Sequence, residues 1–440
     1  MAKYFIKLEN NTYEPLGTPG HGFNGWVPLS QAYGTVPNKG SDGWVIDEQL
    51  ALATGQNASD LPNLVTRDIN NAADVNRDKS TGFYAMSGHV DTTGHRTGPR
   101  WYIRSTLNDP AKYPLTLSLQ TFVTKILFSN STSTPTAIGV EYMTGSDLYS
   151  ASPRHKNTTR PAAQQAFARR EVIVSGGAFN SPQLLKLSGI GPAAELAKFK
   201  IPLVKDLPGV GENMADNYEG SILSLANRDL VDTAGQVVLF LNTGKTSNRN
   251  IYAFCGSFSF EGFWPGYPTD YGAGEYECAL VLMNPKSQAG YVRLKSADPL
   301  DTPDINFRFF EKNGDEDLQE LLDAMKIIRS GLQKVKGDLA PFNELHPCPG
   351  VGQNCTDEAQ KEFIKTQAYS HHPTSSCAIG ADDDPMAVLD SKFRVRGVKN
   401  LRVVDASAFP VVPGAFPVLP TMMLSEKASE DILNDAKVAA

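Results

Sequence analysis

Two adjacent histidines are the side chains in this sequence best suited to proton transfer. They lie in the segment Tyr369-Ser-His371-His372-Pro373. A neutral imidazole accepts a proton near pH 7, which makes either ring a candidate general base. Pro373 favours an extended backbone at His372, and neighbouring side chains of an extended segment point to opposite sides. We expect one of the two rings to face a given pocket; the alternative is that both are hydrogen-bonded histidines of a polar loop.

Several other catalytic patterns are absent from the sequence. No G-x-S-x-G segment offers a serine nucleophile, and no G-x-G-x-x-G followed by an acidic residue supports a nicotinamide site. The five cysteines form no paired C-x-x-C framework, so we predict no structural metal.

A strand, a glycine turn and a helix follow one another between residues 169 and 188. The apolar run 172–174 predicts a buried strand, Gly176-Gly177 predicts a turn, and the spacing that follows predicts a helix opening at Ser181-Pro182. Backbone N–H groups are free at such a helix N-terminus and favour a phosphate or another anion. Most units of this kind bind nothing, so the pattern alone leaves the site open.

The spacing of apolar residues elsewhere in the chain predicts the strands and helices that would position these residues. We predict strands at residues 115–119, 122–128, 137–142, 291–294 and 401–404, and helices at 316–328 and 421–433. The first 100 residues or so are rich in turn formers and predict loops, and 206–216 predict a glycine-punctuated connection. Asp405 directly follows a predicted strand, and the carboxyl ends of parallel strands are where such sheets usually hold ligands.

Composition sets the class of protein. The 440 residues are 41% hydrophobic and 20% charged, which predicts a sizeable core divided over roughly two or three domains. With 41 Lys and Arg against 48 Asp and Glu, the formal net charge is -7, so we expect no nucleic-acid partner. No apolar stretch approaches the roughly 20 residues that cross a bilayer, so we expect no membrane insertion.

The cellular compartment is indicated by cysteines and glycosylation sequons. Cys348 and Cys355 flank a glycine-containing loop that can close a small disulfide ring; the alternative is two reduced thiols. Five N-x-S/T sequons begin at Asn10, Asn57, Asn130, Asn157 and Asn354. We expect the secretory pathway, with a cytoplasmic location as the alternative.

The helix after the glycine turn is part of a longer motif, Gly177-Ala-Phe-Asn-Ser-Pro-Gln-Leu-Leu-Lys-Leu-Ser-Gly-Ile-Gly-Pro192. This segment resembles the second signature of the glucose-methanol-choline (GMC) flavoprotein oxidoreductases over sixteen residues. Further matches follow in family order at residues 21–27, 207–213, 290–299, 372–373 and 401–407. The ending from Phe416 is most similar to the fungal secondary-metabolism branch, which includes patulin-synthase-like enzymes.

The resemblance implies FAD as the cofactor and assigns roles to five residues. In the family, the histidine of the His-Pro segment faces the flavin and helps to remove the substrate hydroxyl proton while hydride leaves the carbon. The family frame selects His372, with His371 as the second choice. It also implies that Asp405 and Ala406 lie against the pyrophosphate and ribityl of FAD, and that Val123 lies near the adenine.

Two departures from the family pattern bear on these expectations. Val418 stands where the family has a second catalytic histidine or asparagine. The βαβ unit with G-x-G-x-x-G that opens family members would lie upstream of Met1, and it normally neutralises the pyrophosphate at a helix N-terminus. We therefore expect an incomplete FAD-binding domain, and a chain that by itself binds flavin poorly.

We predict an α/β (α+β) protein with an incomplete FAD-binding Rossmann-like domain and a substrate domain on a mostly antiparallel sheet. The predicted divisions are a loop-rich insertion of the substrate or lid region at 1–100, FAD-domain parts at 101–217 and 376–440, and the substrate domain at 218–375. The predicted function is oxidation of a primary or secondary alcohol of a small metabolite by hydride transfer to flavin. The alternatives are a non-redox relative, such as a cyclase or lyase, and an inactive fragment.

Overall fold

The computed structural model describes residues 1–31, 37–129, 133–156, 159–233, 235–260, 262, 266–352 and 355–438. The α-helices are α1 (Ala2–Leu8), α2 (Asp42–Ala53), α3 (Leu61–Leu64), α4 (Pro99–Leu107), α5 (Gly177–Leu187), α6 (Ala193–Lys198), α7 (Gly314–Leu332), α8 (Asp357–Gln367) and α9 (Val418–Val438). Short 3₁₀ turns lie at Ala58–Asp60, Gly337–Leu339 and Ala406–Ala408.

The strands are β1 (Glu9–Asn11), β2 (Val27–Leu29), β3 (Gly82–Tyr84), β4 (Thr121–Ser129), β5 (Thr136–Thr144), β6 (Gln164–Phe167), β7 (Val172–Val174), β8 (Ile190–Gly191), β9 (Lys205–Asp206), β10 (Glu219–Leu225), β11 (Val237–Leu241), β12 (Ile251–Gly256), β13 (Glu275–Leu282), β14 (Tyr291–Arg293), β15 (Asp304–Asn306), β16 (Asn343–His346) and β17 (Leu401–Val403).

Two compact units make up the chain. Unit 1 consists of Met1–Ser105, Asn217–Lys286 and Asn313–His371, and unit 2 consists of Thr106–Asp216, Ser287–Lys312 and His372–Ala440. The fold is mixed α/β with antiparallel sheets, which confirms the predicted fold class. The four-part division at residues 100, 217 and 375 stays a prediction.

Unit 1 is built on a six-stranded sheet in the order β16-β10-β13-β12-β11-β3, with antiparallel neighbours throughout. Helix α7 packs on β10, β12 and β13, and α2 packs on α7. Buried side chains recur every three or four residues along α7, at Leu318, Leu321, Leu322, Met325 and Ile328, as an amphipathic helix requires. The predicted helix at 316–328 is therefore confirmed and is longer at both ends.

Unit 2 holds the strands predicted before and after the glycine turn. β4, β5 and β6 form an antiparallel meander. The apolar residues of β4 and β5 predicted those two strands, whereas β6 was not predicted. β7 pairs in parallel with β17, with Val172 opposite Leu401 and Val174 opposite Val403. All four of these side chains are buried in one apolar cluster, whereas Ile173 on the other face of β7 is 44% exposed.

Three predictions differ from the structure. Residues 1–100, which were predicted to form loops, also contain helices α1, α2 and α3 and strands β1, β2 and β3. Residues 115–119 form no strand, because the segment has no pairing partner among the described residues and its leucines are exposed, Leu119 by 71%. Helix α5 begins at Gly177 instead of Ser181, which places Pro182 inside the helix. A proline at this position cannot donate to the carbonyl of Ala178. The hydroxyl of Ser376 donates to that carbonyl instead, at 2.5 Å, so the helix tolerates Pro182.

The cysteines form two disulfides. The predicted Cys348–Cys355 bridge is confirmed. A second bridge joins Cys255 and Cys278, which are register partners on β12 and β13. Cys377 is buried and free. None of the described helices combines the length and the apolar character needed to span a membrane.

Candidate functional site

The carboxyl ends of β7 and β17 lie side by side in unit 2 because the two strands are parallel and in register. The pairing continues one residue beyond the strands, where the N–H of Val404 donates to the carbonyl of Val174 at 2.9 Å. This position brings the turn at Ser175-Gly176 next to Asp405. Ligands of open parallel sheets commonly bind at such an edge.

Asp405 connects this edge of the sheet to α5. One carboxylate oxygen accepts hydrogen bonds from the N–H of Gly177 at 3.0 Å and the hydroxyl of Ser181 at 2.5 Å. The other accepts from the N–H and hydroxyl of Ser407 at 2.8 and 2.5 Å. Because four donors of the chain already surround this buried carboxylate, its structural role is to hold the start of α5 against the turn that contains Ala406.

The His-Pro segment is attached to the same turn. The N–H of Ser375 donates to the carbonyl of Ala406 at 3.3 Å, and the N–H of Cys377 donates to the carbonyl of Ser407 at 2.9 Å. Ser375 has a φ of 71°, in the left-handed region that few residues other than glycine adopt. The chain therefore turns sharply between His372 and the segment that runs along residues 406–408.

His372 belongs to unit 2 and its ring is buried. Its backbone N–H donates to the carboxylate of Asp216 at 2.9 Å. Two residues on, Thr374 exchanges backbone hydrogen bonds with Ala215 at 2.8 and 3.2 Å. The edge of Phe416 packs against the imidazole with 5.2 Å between ring centroids. These contacts hold the ring in one position. Asp216 was not predicted as a site residue; it is the last residue of the predicted connection at residues 206–216.

His371 belongs to unit 1. Its side chain is 45% exposed, and its Nδ1 lies 3.6 Å from a carboxylate oxygen of buried Glu219. Glu219 and Tyr369 exchange backbone hydrogen bonds at 2.9 and 3.1 Å, which fixes the chain two residues before His371. The exposed His371 and buried His372 agree with the expected alternation of an extended segment.

Val123 lines a cavity of about 260 Å³ beside the glycine turn. One wall is a stacked pair, Phe122 and Tyr149, with 5.4 Å between ring centroids. Polar groups lie at one side, where the amide of Asn180 donates to the hydroxyl of Tyr149 at 2.9 Å and that hydroxyl donates to Gln183 at 3.0 Å. Burial raises the pKa of Tyr149, so its hydroxyl stays protonated at neutral pH. The cavity offers apolar and aromatic surface with a polar edge.

The structure thus brings four of the five predicted site residues into unit 2. Val123 borders the cavity that Gly176 also lines. The backbone N–H of Gly177 donates to Asp405. Ala406 accepts a hydrogen bond from Ser375, which lies three residues after His372. His371 is in unit 1. Val418 is the first residue of α9, and its side chain is 55% exposed.

The glycine turn and the His-Pro segment are motifs through which the sequence resembles the GMC flavoproteins. Two family models described as GMC oxidoreductase match the chain, an N-terminal one over residues 64–219 and a C-terminal one over residues 285–425. The chain belongs to the GMC oxidoreductase family. The predicted family is therefore confirmed, and with it the predicted cofactor, FAD; the structural neighbours include an FAD-dependent oxidoreductase from Chaetomium thermophilum.

Curated relatives of the chain include choline dehydrogenases. The oxygen-dependent choline dehydrogenase of Pseudomonas savastanoi pv. phaseolicola is 32% identical over 388 residues, which cover 82% of this chain and 63% of that protein. The mitochondrial choline dehydrogenase of Homo sapiens is 32% identical over 386 residues, covering 82% of this chain and 60% of that protein. The chain thus spans less than two thirds of the length of these relatives.

Solved structures share the fold. Pyridoxine 4-oxidase from Mesorbium loti matches with a TM-score of 0.75 and 20% identity, covering 98% of this chain and 76% of that chain. A formate oxidase from Aspergillus oryzae matches with a TM-score of 0.77 and 19% identity, covering 100% of this chain and 78% of that chain.

Proposed function

We propose that the protein acts as an FAD-dependent oxidoreductase that oxidises a primary or secondary alcohol of a small metabolite, with His372 as the base. The observation that carries this proposal is that the segment following His372 is attached to the turn after β17, within one unit, by backbone hydrogen bonds from Ser375 to Ala406 and from Cys377 to Ser407. The family and the choline dehydrogenase relatives support the reaction class.

The residues present fit parts of FAD. The cavity beside Val123 combines the stacked rings of Phe122 and Tyr149 with nearby amides, which suits a flat heteroaromatic ring such as adenine. Gly176 in the same cavity has no side chain to block close approach to the backbone of the turn. Ala406 starts a 3₁₀ turn at the end of β17, where backbone groups can contact the pyrophosphate or ribityl.

Bound flavin would supply the acceptor for the hydride that leaves the alcohol carbon. The role of the chain is to hold the alcohol and to accept the hydroxyl proton on the unprotonated ring nitrogen of His372. Asp216 fixes the backbone of His372, and Phe416 restricts the ring and keeps water away from one side of it. A base held in this way loses little entropy when the alcohol binds.

The two histidines provide the test. In the full-length protein, His372→Ala should lower the rate of flavin reduction by an alcohol roughly 10²-fold or more, the usual scale for a lost general base. His371→Ala is the matched control and should have a much smaller effect, because the ring of His371 is half exposed. The absorbance of bound flavin reports whether each variant still binds the cofactor. Equal losses for the two variants would refute the assignment of His372.

We also propose that the protein belongs to the fungal secondary-metabolism branch of the family and enters the secretory pathway. The first part is supported by the sequence from Phe416 onwards. The second is supported by two disulfides and by the exposed side chain of Asn57, which begins a sequon. The sequons at Asn130, Asn157 and Asn354 lie outside the described residues.

A further inference from the structure

A gap in the edge of the unit 1 sheet borders a small cavity. Strand β10 is paired on its outer side at two places, with Tyr369 at Glu219 and with β16 from Leu223 onwards. Between them, a cavity of about 200 Å³ is bounded by Ser221, by the end of β16 and by the last turn of α8. The cavity lies within unit 1 and does not contain His371 or any residue of unit 2.

The pairing pattern determines which backbone groups of β10 face this gap. Glu219 exchanges both of its backbone hydrogen bonds with Tyr369, so its N–H and C=O point to the outer edge. In an antiparallel ladder the groups of every second residue point to the same edge. The N–H and C=O of Ser221 therefore point into the gap, where none of the described residues forms a strand opposite it.

The other walls of the cavity are mainly apolar. Met325 of α7 and Phe363 and Ile364 of α8 supply aliphatic and aromatic surface. The imidazole of His346 stacks on Phe363 with 5.6 Å between ring centroids. A ligand that fits must therefore combine an apolar body with a polar head at Ser221.

The charge of the head follows from the ionisable groups around the cavity. His346 is the only ionisable side chain other than Tyr369 among the residues that line it. Glu344, two residues before His346, is paired with Arg329 at 2.6 and 2.8 Å and so offers no free charge. The C-terminal end of α8 borders the cavity and disfavours an anion. A cation would find no carboxylate among the lining residues to replace its hydration, so a neutral head is favoured.

We propose that this cavity binds a small neutral amphiphile whose head is a primary carboxamide and whose body is a short alkyl chain. The carboxamide carbonyl accepts from the N–H of Ser221, and its N–H donates to the carbonyl of Ser221. These two bonds replace those of the missing strand partner. At about 30 Å³ per water molecule the cavity of about 200 Å³ has room for roughly seven waters, which corresponds to an amide of about six carbons.

The test is equilibrium binding of hexanamide to the full-length protein, measured by calorimetry in the absence of any alcohol substrate. Hexanoate and hexylammonium carry the same chain with a charged head. We expect saturable binding of hexanamide and at least tenfold weaker binding of both ions. Because binding is measured without turnover, failure of the proposed oxidoreductase activity would leave this result unaffected.

Two alanine substitutions make a matched pair. Ala368→Leu adds a side chain inside the cavity and should weaken hexanamide binding at least tenfold, whereas Ala359→Leu adds the same side chain on the exposed side of α8 and should change it less than twofold. In the unsubstituted protein, hexanamide should shift the amide resonance of Ser221, a readout that needs no variant. Water alone in the cavity, seen as no saturable binding and no shift, would overturn the proposal, as would equal effects of the two variants or tighter binding of hexanoate.

Discussion

The carboxylate of Asp405 and the hydroxyl of Ser181, 224 residues apart in the sequence, form a buried hydrogen bond of 2.5 Å. The same carboxylate accepts from the backbone N–H groups of Gly177 and Ser407. One acidic side chain therefore joins the start of α5 to the end of β17. The geometry of the proposed cofactor site depends on this connection.

Replacing this carboxylate tests its structural role. Asp405→Asn puts an amide N–H₂ opposite one of the backbone N–H groups, and a buried donor left without an acceptor costs about 1–3 kcal/mol. We expect the free energy of unfolding from urea titration to fall by that amount. Asp382→Asn, at a side chain that is 98% exposed, is the control and should change it by less than about 0.5 kcal/mol. Equal stabilities of the two variants would contradict this role.

Asp47 makes unit 1 less stable as the pH rises. Burial raises the pKa of Asp47 to about 8, and the hydrogen bond from Tyr276 opposes this only in part. The pKa of an unfolded Asp is near 3.9, so between about pH 4 and pH 8 the folded state binds more protons than the unfolded state. The free energy of unfolding must therefore fall as the pH rises through this range.

Asp47→Asn keeps the shape of the side chain and removes its titration. We expect this variant to be more stable than the parent at pH 8, with a difference that shrinks as the pH is lowered towards 4. Urea unfolding at pH 5, 6.5 and 8 measures the difference, and Asp382→Asn, at a side chain that is 98% exposed, is the control. A difference that does not vary with pH would show that Asp47 is ionised in the folded protein.

His21 has the opposite dependence on pH. Its ring nitrogens lie 2.9 Å from a carboxylate oxygen of Glu9 and 3.1 Å from one of Asp68. Burial by itself lowers the pKa of His21, but the hydrogen bonds and charges of the two carboxylates outweigh burial and raise the pKa above its usual value. The stabilisation is therefore complete below the unfolded pKa of about 6.5 and is lost as the pH rises through the folded pKa.

His21→Asn removes this interaction. We expect the loss of stability relative to the parent to be largest near pH 5 and to shrink as the pH rises to 9, when measured by urea unfolding. His95→Asn, at an imidazole that is 82% exposed, should show little change over the same range. A loss that grows with pH would mean that His21 is neutral between its two carboxylates.

The proposed secretory location predicts three covalent features of the protein isolated from its native source. Mass spectrometry should find a glycan on Asn57, intact Cys255–Cys278 and Cys348–Cys355 bridges, and one free thiol at Cys377. Burial raises the pKa of Cys377, so alkylation of this thiol should require unfolding. An unmodified Asn57 together with reduced Cys348 and Cys355 would contradict the proposal.

Local periodicity was sufficient to predict several elements. The strands at 122–128 and 137–142 and the helix at 316–328 were predicted because their apolar spacing matches the period of the element that they form. Residues 115–119 show similar alternation but form no strand, because alternation does not supply a neighbouring strand. The Cys255–Cys278 bridge was missed for a related reason, since it follows from the register of β12 and β13.

For the candidate site, the sequence by itself determined the family, the His-Pro segment and the opposite orientation of the two histidine rings, because motif order and backbone stereochemistry are local properties. Only the tertiary structure decided that His372 is the buried ring, that Asp216 holds its backbone, and that Asp405 is enclosed by donors from α5. These contacts join segments more than 150 residues apart. They depend on how the strands and helices pack, which no spacing along the chain specifies.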